Sequence, residues 1–242
     1  MTDRRKLLAG ARAWNPAMAG PTAWYYASGH YVSLNGANVV NWADRTLGGN
    51  DIIQSTALLQ PLWEANGGWS ASEPSIRSES ERLVSPSGGL APIETVFSGT
   101  NRPFTALITC QVLQFPGDSV LCMWSNTNGD VRQRCIVTSS QFIGITRTDS
   151  VTTRTATATI SSIGTGHIRV AYTFDGVFAG AYLNTIRVIN GDQLDVGATT
   201  FHNFTVGDAR DVRMTEVVIY PRAFSAAEVA LYYAYSLAEW GV

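Results

Sequence analysis

The last thirty or so residues constrain the fold more than any other part of this chain. The run Val212–Tyr220 is rich in β-branched and apolar residues and contains neither Gly nor Pro, which predicts a strand. Because apolar side chains stand at both odd and even positions, we expect an interior strand that is covered on both faces. Pro221 ends this strand, since proline cannot donate a hydrogen bond to a neighbouring strand.

The residues after this strand predict one amphipathic helix at the end of the sequence. Ser225 and Glu228 have the spacing of a capping box, in which each side chain accepts a hydrogen bond from the backbone amide of the other residue. Phe224 and Val229 have the spacing of the accompanying hydrophobic staple. The apolar residues that recur near the helical period, and that we expect on the buried face, are Val229, Tyr233, Leu237 and Trp240.

Composition indicates a globular β-protein with a polar but weakly charged surface. The chain has 242 residues, of which 45% are hydrophobic and only 15% are charged. Such a chain can bury a proper core, and Ser, Thr, Asn, Gln and Gly must cover its surface, as is common in extracellular or particle-bound β-proteins. The formal net charge of −2 gives no electrostatic reason to expect nucleic-acid or membrane partners.

The termini and the cysteines bear on where the protein is made. Residues 1–13 form a basic arm, either a frayed terminus or short helix, or a docking segment that orders on a partner, ahead of one domain over residues 14–242. The arm lacks the apolar core of a signal peptide, and no stretch approaches transmembrane length. Cys110, Cys122 and Cys135 match no zinc motif, so we expect free, buried thiols in a protein made in a reducing cytoplasm.

Strand signals separated by turns recur along the chain. Strands are predicted from Trp24, on both sides of the Asn35-Gly36 turn, and in several segments between residues 103 and 147. The threonine-rich residues 151–161 suit a solvent-facing or edge strand, and residues 62–101 are interpreted as a loop-rich excursion. In the hairpin at residues 167–188, apolar and other residues alternate before the Asp175-Gly176 turn, which predicts one buried face. About a dozen strands and one helix predict an all-β antiparallel sandwich of two sheets.

Two motifs carry a resemblance to a known family. The closing strand and cap, with Glu216, Ile219, Tyr220, Arg222 and Ser225, resemble the end of laminin-G-like or concanavalin A-like jelly-roll domains. The residues that resemble the opening motif of the same domains are Trp42, Asp44, Gly48, Gly49 and Asn50, with Leu47 where the family usually has glycine. The resemblance implies the jelly-roll sandwich of the lectin and glucanase type, with one short C-terminal helix.

Candidate functional residues point to binding more than to catalysis. Aromatic faces beside amides and carboxylates hold sugar rings, which makes Trp63, Trp69, Asn126, Asn128 and Asp130 candidates for carbohydrate binding. Asp44 and Asn50 are candidate calcium ligands, or alternatively they satisfy the amides of their own turn. No other cofactor is expected.

Catalytic motifs are missing from the sequence. It contains no nucleophile elbow, no P-loop and no paired histidines of a metalloprotease helix. Glucanases of this fold need two carboxylates spaced along one strand, and the nearest approach, Glu79 and Glu81, lies in an aperiodic segment with the wrong spacing. We therefore expect a protein that is not an enzyme.

The sequence therefore supports three hypotheses about function. Chains of this appearance resemble virion proteins of tailed bacteriophages, which implies a capsid decoration, head fibre or tail adhesin. Such a protein would be a homo-oligomer in the virion, bound to other virion proteins through residues 1–13 and possessing weak affinity for host glycans. The alternative is a carbohydrate-binding lectin module, and a glycoside hydrolase is the third hypothesis.

Overall fold

The computed structural model describes residues 14–68, 73–86, 92–113, 119–137, 142–159, 166–184, 186–207 and 212–240. The proposed arm and Trp69 lie outside these residues. The strands are β1 (Ala23–Tyr26), β2 (Val32–Asn35), β3 (Asn38–Trp42), β4 (Ile52–Ile53), β5 (Leu62–Glu64), β6 (Ser75–Ser78), β7 (Leu83–Val84), β8 (Gly99–Thr100), β9 (Phe104–Val112), β10 (Ser119–Ser125), β11 (Arg132–Val137), β12 (Phe142–Thr148), β13 (Thr153–Thr159), β14 (Gly166–Phe174), β15 (Phe178–Leu183), β16 (Ile186–Gln193), β17 (Ala198–Thr199), β18 (Asn203–Val206) and β19 (Val212–Tyr220). The helices are α1 (Pro92–Phe97) and α2 (Ala226–Trp240), with short 3₁₀ helices at Pro16–Ala19 and Ala57–Leu59.

Antiparallel pairing joins most of these strands into one continuous ribbon that folds back on itself. Its order is β13, β12, β11, β10, β18, β7, β4, β3, β5, β6, β19, β9, β14, β15, β16, with β2 added beside β3 and β1 beside β19. Contacts between the two halves show how they face each other. The Trp124 ring of β10 lies 5.5 Å from the Phe104 ring of β9, and the Tyr172 hydroxyl of β14 donates to the carbonyl of Ile136 in β11. The prediction of an all-β two-sheet sandwich is confirmed.

The closing strand lies in the interior, as predicted. β19 pairs with β9 along most of its length and with β1 and β6 on its other edge. Val217 and Ile219 face the core between the sheets, whereas Val218 and Tyr220 face α2 on the outside. Apolar residues occupy both faces because a second sheet covers one face and a helix covers the other.

The capping box and most of the predicted helix face are confirmed. The Ser225 amide donates to Glu228 Oε2 at 2.9 Å, and the Glu228 amide donates to Ser225 Oγ at 3.3 Å. Val229 and Tyr233 are buried, but Leu237 is 52% exposed, so its place on the buried face was predicted wrongly. The side chain of Trp240 lies outside the described part of the structure. Besides Val229 and Tyr233, the buried face includes Tyr232 and Ser236. The sheet therefore contacts the helix about one residue away from the predicted line of apolar residues.

The hairpin of β14 and β15 is more buried than its sequence pattern predicts. Ile168 and Tyr172 face the core, but Arg169, Ala171 and Thr173 on the other face are also buried. Over Arg169 and Ala171 the cause is α2, whose Tyr233 hydroxyl donates to the carbonyl of Arg169 and whose apolar face packs on Ala171. A covering helix therefore hides residues that alternation alone assigns to solvent.

The described residues between 62 and 101 contain more regular structure than the predicted loop-rich excursion. They contain β5, β6, β7, β8 and the helix α1, whose Ile93 and Phe97 enter the core. These elements are short, so neither periodicity nor propensity marks them clearly in the sequence. The threonine-rich strand β13 is confirmed, with Thr153, Thr155 and Thr157 exposed along it. None of the helices among the described residues is both long and apolar enough to cross a membrane.

Candidate functional site

A pocket opens where α2 begins beside the hairpin of β14 and β15. Further along, α2 covers the outer face of this hairpin through Tyr232 and Tyr233, which pack against Ala171 and Tyr182. Since the helix starts only at Ala226, the end of the hairpin near its turn is left without a cover. The resulting pocket has a volume of about 360 Å³. We call it the hairpin–helix pocket, and its lining residues are Thr173, Asp175, Phe178, Ala179, Gly180, Tyr182, Arg187, Ala223, Phe224, Ser225 and Ala226.

The floor of the pocket is formed by two residues that face each other across the hairpin. Thr173 is paired with Gly180, and the Thr173 hydroxyl donates to the Gly180 carbonyl at 3.2 Å. A Cβ atom at Gly180 would lie only 2.6 Å from Thr173 Oγ1, which is closer than van der Waals contact permits. Glycine is therefore what keeps this floor open and lets Thr173 hold its hydrogen bond.

One wall of the pocket is an exposed aromatic side chain held by a tight turn. Phe178 is 48% exposed, although it is a large apolar residue. The turn before it is ordered by Asp175, whose Oδ1 accepts hydrogen bonds from the amides of Val177 and Phe178, each at 2.8 Å. The backbone that carries the ring is thus fixed, and the ring is presented to solvent at the mouth of the pocket.

The opposite walls supply a cation and a hydroxyl. Arg187 lies directly across from Tyr182 in the pairing of β15 with β16, and its guanidinium carbon is 5.7 Å from the centroid of the Tyr182 ring. Its Nε donates to the carbonyl of Ile189 at 3.3 Å. Ser225, the cap of α2, is exposed at the rim. An aromatic face, a guanidinium and a hydroxyl around a concavity can bind the apolar face and the polar substituents of one small polar molecule.

The structure separates the residues predicted to bind carbohydrate. Trp63 is half-buried, packs against the core and donates from Nε1 to the carbonyl of Ala27 at 2.9 Å. The strand pairings place Trp63 level with Cys110, towards the end of β9, through Ile76 and Met214. The turn at residues 126–130 follows Trp124, which contacts Phe104 at the start of β9. Trp63 and this turn therefore lie towards opposite ends of the sandwich, on the order of 20 Å apart along β9, and do not form one site within a chain.

The turn itself is tied together by its own polar side chains. Asn126 Oδ1 accepts hydrogen bonds from the amides of Gly129 and Val131, and its Nδ2 donates to Asp130 Oδ1. The hydrogen bond from Asn126 is the main cause that lowers the pKa of Asp130. Asn128 is exposed at the tip. A glycan role for the predicted residues stays a prediction, and Trp69 lies outside the described structure.

Asp44 and Asn50 form a hydrogen-bonded network beneath their turn. Asp44 Oδ1 accepts from the amides of Trp24 and Thr46, and Oδ2 accepts from the Thr46 hydroxyl and from Asn50 Nδ2. Asn50 Oδ1 accepts from the amide of Ile93 at 2.8 Å. Each of these oxygens already has protein donors, which favours the structural interpretation over calcium binding. Among the residues that the structure describes, no three His, Cys, Asp or Glu side chains are grouped so that they could hold a metal ion.

The carboxylates considered for hydrolysis have local structural partners. Glu79 forms an ion pair with Arg77 at 2.6 Å. Glu81 Oε2 accepts hydrogen bonds from the amides of Glu79 and Ser80. Neither residue lines the hairpin–helix pocket.

A buried carboxyl group lies beneath α2, on the same face of the sheet as the pocket. Glu216 is completely buried, and it accepts hydrogen bonds from Trp24 Nε1 at 2.8 Å, from the Tyr232 hydroxyl at 3.2 Å and from the Tyr235 hydroxyl at 3.3 Å. Burial raises its pKa to about 7, although the three donors and the charge of Arg45 act in the opposite direction. This group connects β1, β19 and α2.

The pocket residues were missed by the sequence interpretation, although a signal for them exists. Phe178, Gly180 and Tyr182 occupy alternate positions of one strand, so they share a face on which a glycine separates two aromatic rings. Because glycine has no side chain, this pattern leaves a gap between the rings of Phe178 and Tyr182. What the sequence does not reveal is that α2 begins beside this gap and that Arg187 lies opposite Tyr182.

Similar structures support the fold. The first is a Trypanosoma rangeli sialidase in complex with sialic acid, with a TM-score of 0.62 and 16% identity over 93% of this chain and 34% of that chain. The second is the binding domain of botulinum neurotoxin serotype G, with a TM-score of 0.64 and 12% identity over 90% of this chain and 51% of that chain. The chain thus spans about a third of the sialidase and about half of the toxin domain. No protein-family model and no curated protein matches the sequence.

At these identities the similarity defines the fold class and nothing finer. The protein is an all-β sandwich of the jelly-roll, lectin-like kind. The resemblance seen in the two sequence motifs is confirmed at that level.

Proposed function

We propose that this chain is a carbohydrate-binding β-sandwich and that the hairpin–helix pocket is its binding site. The observation that carries the proposal is the exposed ring of Phe178 at the mouth of a concavity that also presents Arg187 and Ser225. Sugars are bound by stacking of their apolar face on an aromatic ring, while polar groups bond their hydroxyls. A volume of about 360 Å³ favours a terminal sugar over a long buried chain.

Two of the similar structures support a binding role, because both belong to proteins that bind another molecule. One is an enzyme that was determined with sialic acid bound, and another is a toxin domain described as receptor-binding. A binding role is proposed over hydrolysis because the two candidate carboxylates of the sequence are engaged locally, in an ion pair and with backbone amides.

The test is a glycan array probed with the wild-type protein and with Phe178→Ala. We expect the wild type to bind a subset of glycans and Phe178→Ala to lose this binding. The melting temperature of the variant should be unchanged, because the Phe178 ring is already half exposed. Asn128→Ala and Trp69→Ala test the sites predicted from the sequence. Binding that survives Phe178→Ala and disappears in either of those variants would refute the pocket as the site.

The virion role remains a proposal based on the sequence resemblance. Neither similar structure described above is a virion protein. This proposal includes docking through residues 1–13, self-association and attachment to host glycans. Deletion of residues 1–13 tests it, because an assembly protein should lose its partner while its glycan binding persists.

A further inference from the structure

Arg187 is held in a defined position along one side of the hairpin–helix pocket. The pairing of β15 with β16 contains an irregularity between Ala181 and Tyr182, after which Arg187 lies directly opposite Tyr182. The guanidinium is held by the Tyr182 ring and by the carbonyl of Ile189, and its Nη2 atom is 3.5 Å from the position that a Cβ atom of Gly180 would occupy. The guanidinium therefore extends over the open floor of the pocket.

Charged groups around Arg187 are engaged elsewhere. Asp175 Oδ1 orders the hairpin turn, and Glu228 pairs with Arg222 at 2.6 Å while it caps α2. Within the described ranges of the chain, no carboxylate forms an ion pair with Arg187. The Arg187 guanidinium lines the pocket and forms no ion pair with the Asp175 carboxylate that also lines it, which favours a ligand that brings a negative charge.

We propose that the pocket selects saccharides that carry a carboxylate, with the carboxylate paired to Arg187 and the sugar ring against Phe178. This inference rests on the proposed function and names the ligand class of the same site. Because Nε is used by the Ile189 carbonyl, the end of the guanidinium that bears Nη1 and Nη2 remains for the ligand. Its two parallel N–H groups match the two coplanar oxygens of a carboxylate.

The experiment compares saccharides that differ in one group. The probes are a hexuronate-terminated oligosaccharide, its carboxyl-reduced counterpart and a sulfated counterpart, and Kd is measured by titration calorimetry. We expect the carboxylated probe to bind at least about tenfold more tightly than the reduced one, which corresponds to one charge-assisted hydrogen-bonded pair. The preference should disappear in Arg187→Gln and persist in Arg222→Gln, a matched loss of a neighbouring exposed arginine that does not line the pocket.

The outcomes separate this inference from the proposed function. Equal binding of the carboxylated and reduced probes, with both lost in Phe178→Ala, would keep the carbohydrate site and overturn the carboxylate selection. Sulfated and carboxylated probes of equal, Arg187-dependent affinity would mean that any anion is accepted, which also overturns it. Saccharide binding that is absent, or indifferent to Phe178→Ala, would overturn the proposed function and this inference together.

Discussion

Replacement of Glu216 by glutamine should change how the stability of the protein depends on pH. Glu216 is fully buried between β1, β19 and α2, and all its hydrogen-bond donors are neutral groups. Glutamine has the same shape and retains an oxygen for Trp24 Nε1. Its NH₂ group can donate to the hydroxyl oxygen of Tyr232, which can in turn donate to Thr109, 2.7 Å away. The variant should therefore fold with the same packing.

The sign and size of the effect follow from the pKa of this carboxyl. Burial raises the pKa of Glu216 from 4.5 to about 7. Between these two values the folded protein holds a proton that the unfolded chain has lost, so the free energy of unfolding falls as pH rises. The stabilisation is complete below about pH 4.5 and is lost by about pH 7, a change on the order of 3 kcal/mol at 1.36 kcal/mol per pKa unit.

The assay is urea denaturation of the wild type and Glu216→Gln from pH 4 to pH 8. The difference between their unfolding free energies should shift by about 3 kcal/mol in favour of the variant as pH rises, because glutamine does not titrate. Glu239→Gln, an exposed change on the same helix, is the matched control and should show no such trend. A difference that stays constant between pH 4.5 and pH 7 would refute a raised pKa at Glu216.

Three further predictions concern the turn, the cap and the thiols. Leu47 has φ of 61° and is 92% exposed, so Leu47→Gly should raise the stability by about 0.5–1 kcal/mol in thermal unfolding, and a loss would mean that the side chain contributes contacts. Ser225→Ala should cost about 1 kcal/mol in chemical denaturation, with Ser225→Asp as the control that keeps a cap. Cys110, Cys122 and Cys135 are free and buried, and burial raises the pKa of Cys110 to about 12, so a thiol reagent at pH 8 should modify them only after denaturant is added. Rapid modification of the native protein would contradict their burial.

Most of the local structure could be predicted from the sequence because its causes are local. The capping box is a relation between two residues three positions apart, and the Asn35-Gly36 turn is marked by a residue pair that tolerates positive φ, as Gly36 does at 64°. The interior position of β19 could be predicted because both faces of this strand are apolar. Fold class followed from the repetition of such signals.

Predictions failed where the deciding contact is distant in sequence. Leu237 has the right spacing for the buried face of α2, yet the way the helix crosses the sheet leaves it exposed and buries Tyr232. Arg169 looks like a solvent-facing residue of β14 until α2 covers it from more than fifty positions away. The helix α1 is short, and it holds its place through Ile93 and Phe97 in the core, not through its own propensity.

Local patterns of residues were enough to predict a β-sandwich that ends in a capped helix, because alternation, turns and caps act over a few residues. The place where a ligand could bind depends instead on how distant segments pack together. The hairpin–helix pocket exists because α2 begins beside Gly180, and because the register of β15 against β16 sets Arg187 opposite Tyr182. Each of those placements is fixed by pairing and packing between separate segments of the chain. A local pattern of residues therefore cannot predict them.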